Sequence, residues 1–170
     1  MHAYRLLIVL GLGVLSGCTM AGHKQLAAKV MLEARSGSAV TGKVRISEHD
    51  GIVRIAGSVR GLEANSEHGF HIHEKGDCSA ADASSAGGHF NPGAAAHGAY
   101  NAAVHHGGDL ASLKADARGE ASFDFVITGV TLGEGPTSIK GRSLVVHGKA
   151  DDFTTQPSGN SGPRVACGVI

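Results

Sequence analysis

Between Gly69 and Leu110 the chain opens with Gly-Phe-His-Ile-His-Glu-Lys-Gly-Asp-Cys and closes with His-His-Gly-Gly-Asp-Leu. This one stretch carries His71, His73, His89, His97, His105, His106 and, near its end, Asp109. Packing gives no reason to gather so many imidazoles in so short a span. Imidazole is the commonest protein ligand for metals such as zinc and copper. The stretch therefore reads as a metal site and the remaining chain as its scaffold. His71 and His73 set the geometry. With one residue between them in a strand, their side chains leave the same face with Cα atoms about 7 Å apart, close enough to converge on one ion. Two solvated histidines on an ordinary strand are the alternative, and the rest of the cluster argues against it.

The scaffold reads as all-β. A length of 170 residues implies one domain. Twenty-six glycines and no tryptophan suit short strands with tight turns and long loops. Polar and apolar residues alternate over Lys43–Ser47, Val53–Ala56 and Glu120–Ile127. Gln25–Ala34 contains good helix formers, but Val30, Leu32 and Ala34 alternate with Lys29, Met31 and Glu33, which favours a strand. His49-Asp50-Gly51 is a turn signal between two of these runs. Ser143–His147 is an apolar run that delivers His147 at its end as an extra candidate ligand. Fifteen basic residues balance fifteen acidic ones, so no nucleic-acid partner is implied.

From Asp77 to about Ala111 no strand or helix period exists. A loop this long in a compact domain is usually functional or disordered. His89 sits among Gly87, Gly88 and Phe90-Asn91-Pro92, His97 follows, and His106-Gly-Gly-Asp109 adds a nitrogen and a carboxylate. Three imidazoles and one carboxylate form a closed four-coordinate set suited to structural zinc, which would cross-link a loop unable to bury a core of its own. His105 is set aside in favour of its neighbour His106, and His49 and His68 are read as solvated. His73-Glu74 lacks the second histidine of a zinc peptidase helix.

Arg5 precedes an apolar run, Leu6–Leu15, too short to span a bilayer and of signal-peptide length. Leu15-Ser16-Gly17-Cys18 resembles the bacterial lipobox, in which cleavage falls before a cysteine that carries lipid. The expected organisation is a signal peptide over 1–17, a lipidated tether over 18–24 and a single domain over 25–170. Thr19 is not the aspartate that retains such lipoproteins in the inner membrane, so the outer membrane is favoured over other sites in the periplasm or cell envelope. Three cysteines are an odd number for an exported chain. Lipidation of Cys18 leaves Cys78 and Cys167 to pair in an oxidising compartment.

Taken in order, these pieces resemble the bacterial copper,zinc superoxide dismutases. The matching residues are Gly69–Glu74, Gly88–Pro92, His97-Gly98, His106–Leu110, Leu144–His147, Ala150–Asp152 and Gly162–Val169. The resemblance implies an all-β, immunoglobulin-like Greek-key barrel or sandwich of eight strands with long metal-binding loops. It implies conversion of superoxide to dioxygen and hydrogen peroxide by copper redox cycling, with one copper and one zinc per subunit. Copper would be held by His71, His73, His89 and His147, and zinc by His89, His97, His106 and Asp109. His89 would serve both ions and act in catalysis together with Arg164, which would dock the anionic substrate. Asp151 would hydrogen-bond one histidine of each metal. Animal members carry charged steering residues in a loop before the arginine, whereas Thr154–Ser158 has none; Lys75 is the candidate substitute. The resemblance fits a monomer or a homodimer. The rival readings are an inactive copper or zinc delivery protein on the same fold, which predicts a missing copper ligand or a missing Arg164, and a metal store. All the ligands and Arg164 are present.

Overall fold

The computed structural model describes residues 25–170. The expected signal peptide and Cys18 lie outside the described residues. Nine strand segments follow one another: β1 (Leu26–Ala34), β2 (Thr41–His49), β3 (Ile52–Arg60), β4 (Glu67–His68), β5 (Phe70–His73), β6 (Leu113–Lys114), β7 (Glu120–Ile127), β8 (Ser143–His147) and β9 (Arg164–Val169). A seven-stranded sheet runs β5-β8-β9-β1-β2-β3-β7, and β4 pairs with β6. The last strand lies beside the first, and the chain crosses from β7 at one end of the sheet to β8 near the other, as in a Greek key.

Alternation builds the long strands. Val30 and Leu32 in β1, Val44 and Ile46 in β2, and Val53, Ile55 and Val59 in β3 point inward and are buried. Lys43, Arg45 and Arg54 point outward. The hairpin between β2 and β3 turns on Asp50 and Gly51, both at positive φ, the backbone that lets two tightly linked strands keep their twist. In β7, Ala121 and Ile127 are buried while Phe123 and Phe125 are half-buried, and Phe123 packs on Phe70 with ring centroids 5.3 Å apart.

Two features set up the site. β4 and β5 are one strand that changes partner at Gly69, pairing first with β6 and then with β8; counted so, the strands number eight. A Cβ at Gly69 would stand 2.6 Å from the Ser161 hydroxyl, so only glycine allows the chain through. β5 is buried on both faces. Phe70 and Ile72 enter the core, while His71 and His73 face the long loops. The second feature is the Cys78–Cys167 disulfide, which ties the 77–111 loop to β9 across a separation of 89 residues.

Candidate metal centre

The irregular 77–111 loop is folded back against β5 by its own backbone. Ile72 donates to Gly108 O, Phe90 to Ile72 O and Gly108 to Phe90 O, each at 2.8 Å. A Cβ at Gly108 would lie 2.2 Å from Ile72 O, which explains the glycine immediately before Asp109. This docking sets Asp109 opposite His71 and His89 opposite His73. β8 supplies His147 next to a register irregularity against β9, where His147 faces Arg164.

Two groups of side chains converge, with the ligand atoms of each within 4.8 Å of one another. One is His71, His73, His89 and His147; the other is His89, His97, His106 and Asp109. His73 Nε2 and His147 Nε2 are 3.3 Å apart. In the second group Asp109 Oδ1 lies 3.0 Å from His89 Nδ1 and 2.9 Å from His97 Nδ1, and His106 Nδ1 lies 3.4 Å from His89 Nδ1. His89 alone belongs to both groups, with Nδ1 turned to the second.

The nitrogens pointing away from these centres are held. Asp151 spans the two groups, with Oδ2 at 2.7 Å from His71 Nε2 and Oδ1 at 2.9 Å from His97 Nε2. His73 Nδ1 donates to Gly87 O at 2.9 Å, and His147 Nδ1 lies 3.4 Å from Gly162 O. Asp109 Oδ2 accepts from the backbone of His106 and Gly98 at 2.8 and 3.1 Å. Such outer partners fix the tautomer and orientation of a ligating ring.

Whether a cation fits can be tested on two atoms. His71 Nδ1 and His89 Nε2 are buried and have no hydrogen-bond partner. Buried polar atoms are nearly always paired, and leaving one unpaired is costly. A cation bound between the rings satisfies both. The protonation states agree. Burial and neighbouring imidazoles hold His71 and His73 far below the usual histidine range, and burial above all takes His147 down to about 4. Burial also lowers His106. Burial opposes ionisation of Asp109, but hydrogen bonds from His89 and from the His106 and Gly98 backbones outweigh it and hold the carboxyl far below its ordinary value. Burial likewise lowers His97, yet hydrogen bonding to Asp151 and the charge of Asp109 raise it overall. Neutral His71, His73, His106 and His147 beside the ionised Asp109 are donors a divalent metal requires, whereas His97 gives up its proton on binding one.

The first group opens on a pocket of about 630 Å³ lined by His73, His89, His147, Gln156 and Arg164 among others. Arg164 donates to Ala83 O and Gly87 O, both at 2.6 Å. Gly87 O thus holds both Arg164 and His73. Among the described residues, Arg164 is the only lysine or arginine lining the pocket. Lys75, expected beside the first pair, does not line it and hands its backbone N–H to Ala86 O.

Family models and known sequences address what such a site belongs to. The model for copper/zinc superoxide dismutase matches residues 40–170. The chain is 40% identical over 135 residues to superoxide dismutase [Cu-Zn] 2 of Aquifex aeolicus, covering 77% of this chain and 79% of that one. It is 39% identical to the Cordyceps militaris enzyme over 90% of this chain and 94% of the relative. It is 36% identical to the extracellular enzyme of Caenorhabditis elegans over 98% and 77%. The chain belongs to the copper/zinc superoxide dismutase family.

Within that family its activity is superoxide dismutation and its metals are copper and zinc. His105 stands outside both groups, its Nδ1 on His106 O at 2.7 Å, as the sequence led us to expect. His49 is exposed. His68 is the correction. It is buried, not solvated, with Nδ1 donating to His147 O at 2.8 Å and Nε2 2.6 Å from the Ser66 hydroxyl. The signal was available: His68 lies two residues before Phe70 in a strand, on the side that goes inward.

Proposed function

We propose that this copper/zinc superoxide dismutase holds copper with His71, His73, His89 and His147, and zinc with His89, His97, His106 and Asp109. The observation that carries the assignment is the pair of buried, unpartnered nitrogens, His71 Nδ1 and His89 Nε2. The first group fits copper because it is all nitrogen and faces the pocket; the second fits zinc because it includes a carboxylate and lies against the docked loop. Copper supplies one-electron chemistry when bound. The chain does the rest. Arg164, fixed by two carbonyls, presents its remaining donors to an anion in the pocket. His89, with one nitrogen toward each group, is placed to take and return a proton at Nε2. Gly87 O keeps the His73 ring and the Arg164 guanidinium at a set separation. The test is superoxide consumption with metal analysis on the same sample. We expect near-equal copper and zinc, activity abolished in His147→Ala and reduced in Arg164→Ala. Full occupancy without activity would refute the assignment of the open position.

The chain is further read as an exported lipoprotein: residues 1–17 a signal peptide, Cys18 lipidated, 18–24 a tether and 25–170 the enzyme domain. The Cys78–Cys167 bridge supports this, because disulfides persist mainly in oxidising compartments and this one leaves Cys18 as the unmatched third cysteine. On this reading the enzyme removes superoxide in the periplasm or at the outer membrane. Fractionation checks it: Cys18→Ser should move the protein from membranes to the soluble fraction. A homodimer is supported by Met31 and Val169, exposed apolar residues on the neighbouring strands β1 and β9. Sedimentation of Met31→Glu against the parent protein tests it.

A further inference from the structure

The loop between β8 and β9 touches the 77–111 loop at one residue in an unusual way. The Gln156 side-chain amide pairs with both backbone polar groups of His97: Oε1 accepts from His97 N at 2.9 Å, and Nε2 donates to His97 O at 3.0 Å. Nε2 also reaches Thr154 O at 3.2 Å, which braces the side chain against its own loop. The amide thus does for His97 what a neighbouring strand does for a residue in a sheet. His97 needs it. It sits in a segment without strand or helix, where no ladder satisfies its backbone. Its ring is held from the same loop, by Asp151 at Nε2. Behind Asp151 stands Gly159, where a Cβ would fall 1.7 Å from the carboxylate, so the loop is pressed directly onto that contact. One loop therefore fixes both the main chain and the imidazole of His97. Gln156 and its neighbours Pro157 and Ser158 also form part of the pocket wall beside Arg164.

We propose that Gln156 is a positioning residue for the zinc ligand His97, clamping its backbone so that Nδ1 is aimed at the second centre, and that the clamp ties zinc occupancy to the pocket wall. The inference rests on the zinc assignment made above. It requires no contact between Gln156 and the metal. Outer partners of metal ligands are worth about 10- to 100-fold in affinity, and two neutral hydrogen bonds at an exposed position belong at the lower end.

The test uses the metal-loaded protein and follows release of zinc and copper to a chromophoric chelator in the parent, Gln156→Met, Gln156→Glu and His97→Ala. Gln156→Met keeps the length of the side chain and removes both hydrogen bonds to His97; Gln156→Glu keeps the acceptor for His97 N but sets a charged oxygen against His97 O, and is read in its place should Gln156→Met not fold. We expect zinc to leave about tenfold faster with copper release unchanged. With Co(II) in the second centre, the visible ligand-field bands should shift, as they report the placement of the ligating nitrogens. Parent-like zinc release and an unshifted Co(II) spectrum would overturn the clamp, and so would equal acceleration of both metals, which marks general loosening. His97→Ala separates the two readings. If it too retains zinc at the parent rate, the zinc assignment itself is at fault; if it alone loses zinc, only the role of Gln156 is.

Discussion

Asp151→Ala is the perturbation that asks most of the site. Asp151 is buried and joins the two groups through single hydrogen bonds of 2.7 Å to His71 and 2.9 Å to His97. Its Oδ1 also accepts from Phe153 N at 2.7 Å, which starts the loop toward Gln156. Hydrogen bonds to a charged group contribute about 1.5–3 kcal/mol each. The two rings do not depend on theirs equally. His71 lies in β5, paired with β8 and fully buried, so its ring is aimed by the sheet. His97 lies in irregular chain, and Asp151 is the partner that sets its Nε2. Losing one such bond at His97 corresponds to roughly 10- to 150-fold weaker zinc binding at 1.4 kcal/mol per factor of ten. Copper binding should fall by less than about tenfold, because packing retains His71. Competition titrations of the metal-free protein against chelators of known affinity, one metal at a time, measure both numbers. Copper affinity falling as far as zinc affinity, or zinc affinity staying at the parent value, would show that the sheet and loop do not differ in how they hold the two rings.

The other expectations are direct. Replacing Cys78 and Cys167 with serine removes a bridge whose loop entropy is worth roughly 4–5 kcal/mol; thermal unfolding should drop by more than ten degrees. His68→Ala removes the donor to His147 O and leaves that buried carbonyl unpaired, costing about 1–3 kcal/mol by denaturant titration. Arg164→Ala should flatten the dependence of superoxide consumption on ionic strength, because among the described residues Arg164 is the only lysine or arginine lining the pocket; a dependence equal to the parent's would place the steering charge elsewhere. The metal-free protein should lose stability as pH falls. His71, His73 and His147 have folded pKa values below that of the unfolded chain, so their stabilisation is complete above about 6.5 and is lost as pH falls toward the folded values, for His147 about 4. His97, raised in the fold, works in the opposite direction and softens the slope. Melting temperatures between pH 7 and 4 read the net effect.

The parts of the fold legible in sequence were those governed by period. Val44 and Ile46, or Val53 and Ile55, announce an inward face because a strand repeats every two residues, and these pairs are buried. The members of both converging side-chain groups were legible too, through the spacing of His71 and His73, the glycines at His89 and Asp109, and the resemblance they carry. Contacts made by irregular backbone were not. Nothing in Thr154–Ser158 says that the Gln156 amide will reach His97, since the two are 59 residues apart and neither belongs to a repeating element. His68 was missed for a different reason: its place two residues before Phe70 marked an inward face, but its partner is the main chain of a residue 79 positions on.

The first centre draws its side chains from far apart along the chain: His73 and His147 meet across 74 residues, and Asp151 reaches back 80 to His71. The first centre cannot exist before the barrel has closed, since contacts so distant form only after long loops have been brought together. A growing or unfolded chain still offers local pairs, His71 with His73 and His105 with His106, that can seize a stray ion in the wrong company. The order of events therefore matters to the yield of working protein: closure first, metal second. A chain refolded with metals withheld until the barrel has formed should reach a higher active fraction than one refolded in their presence.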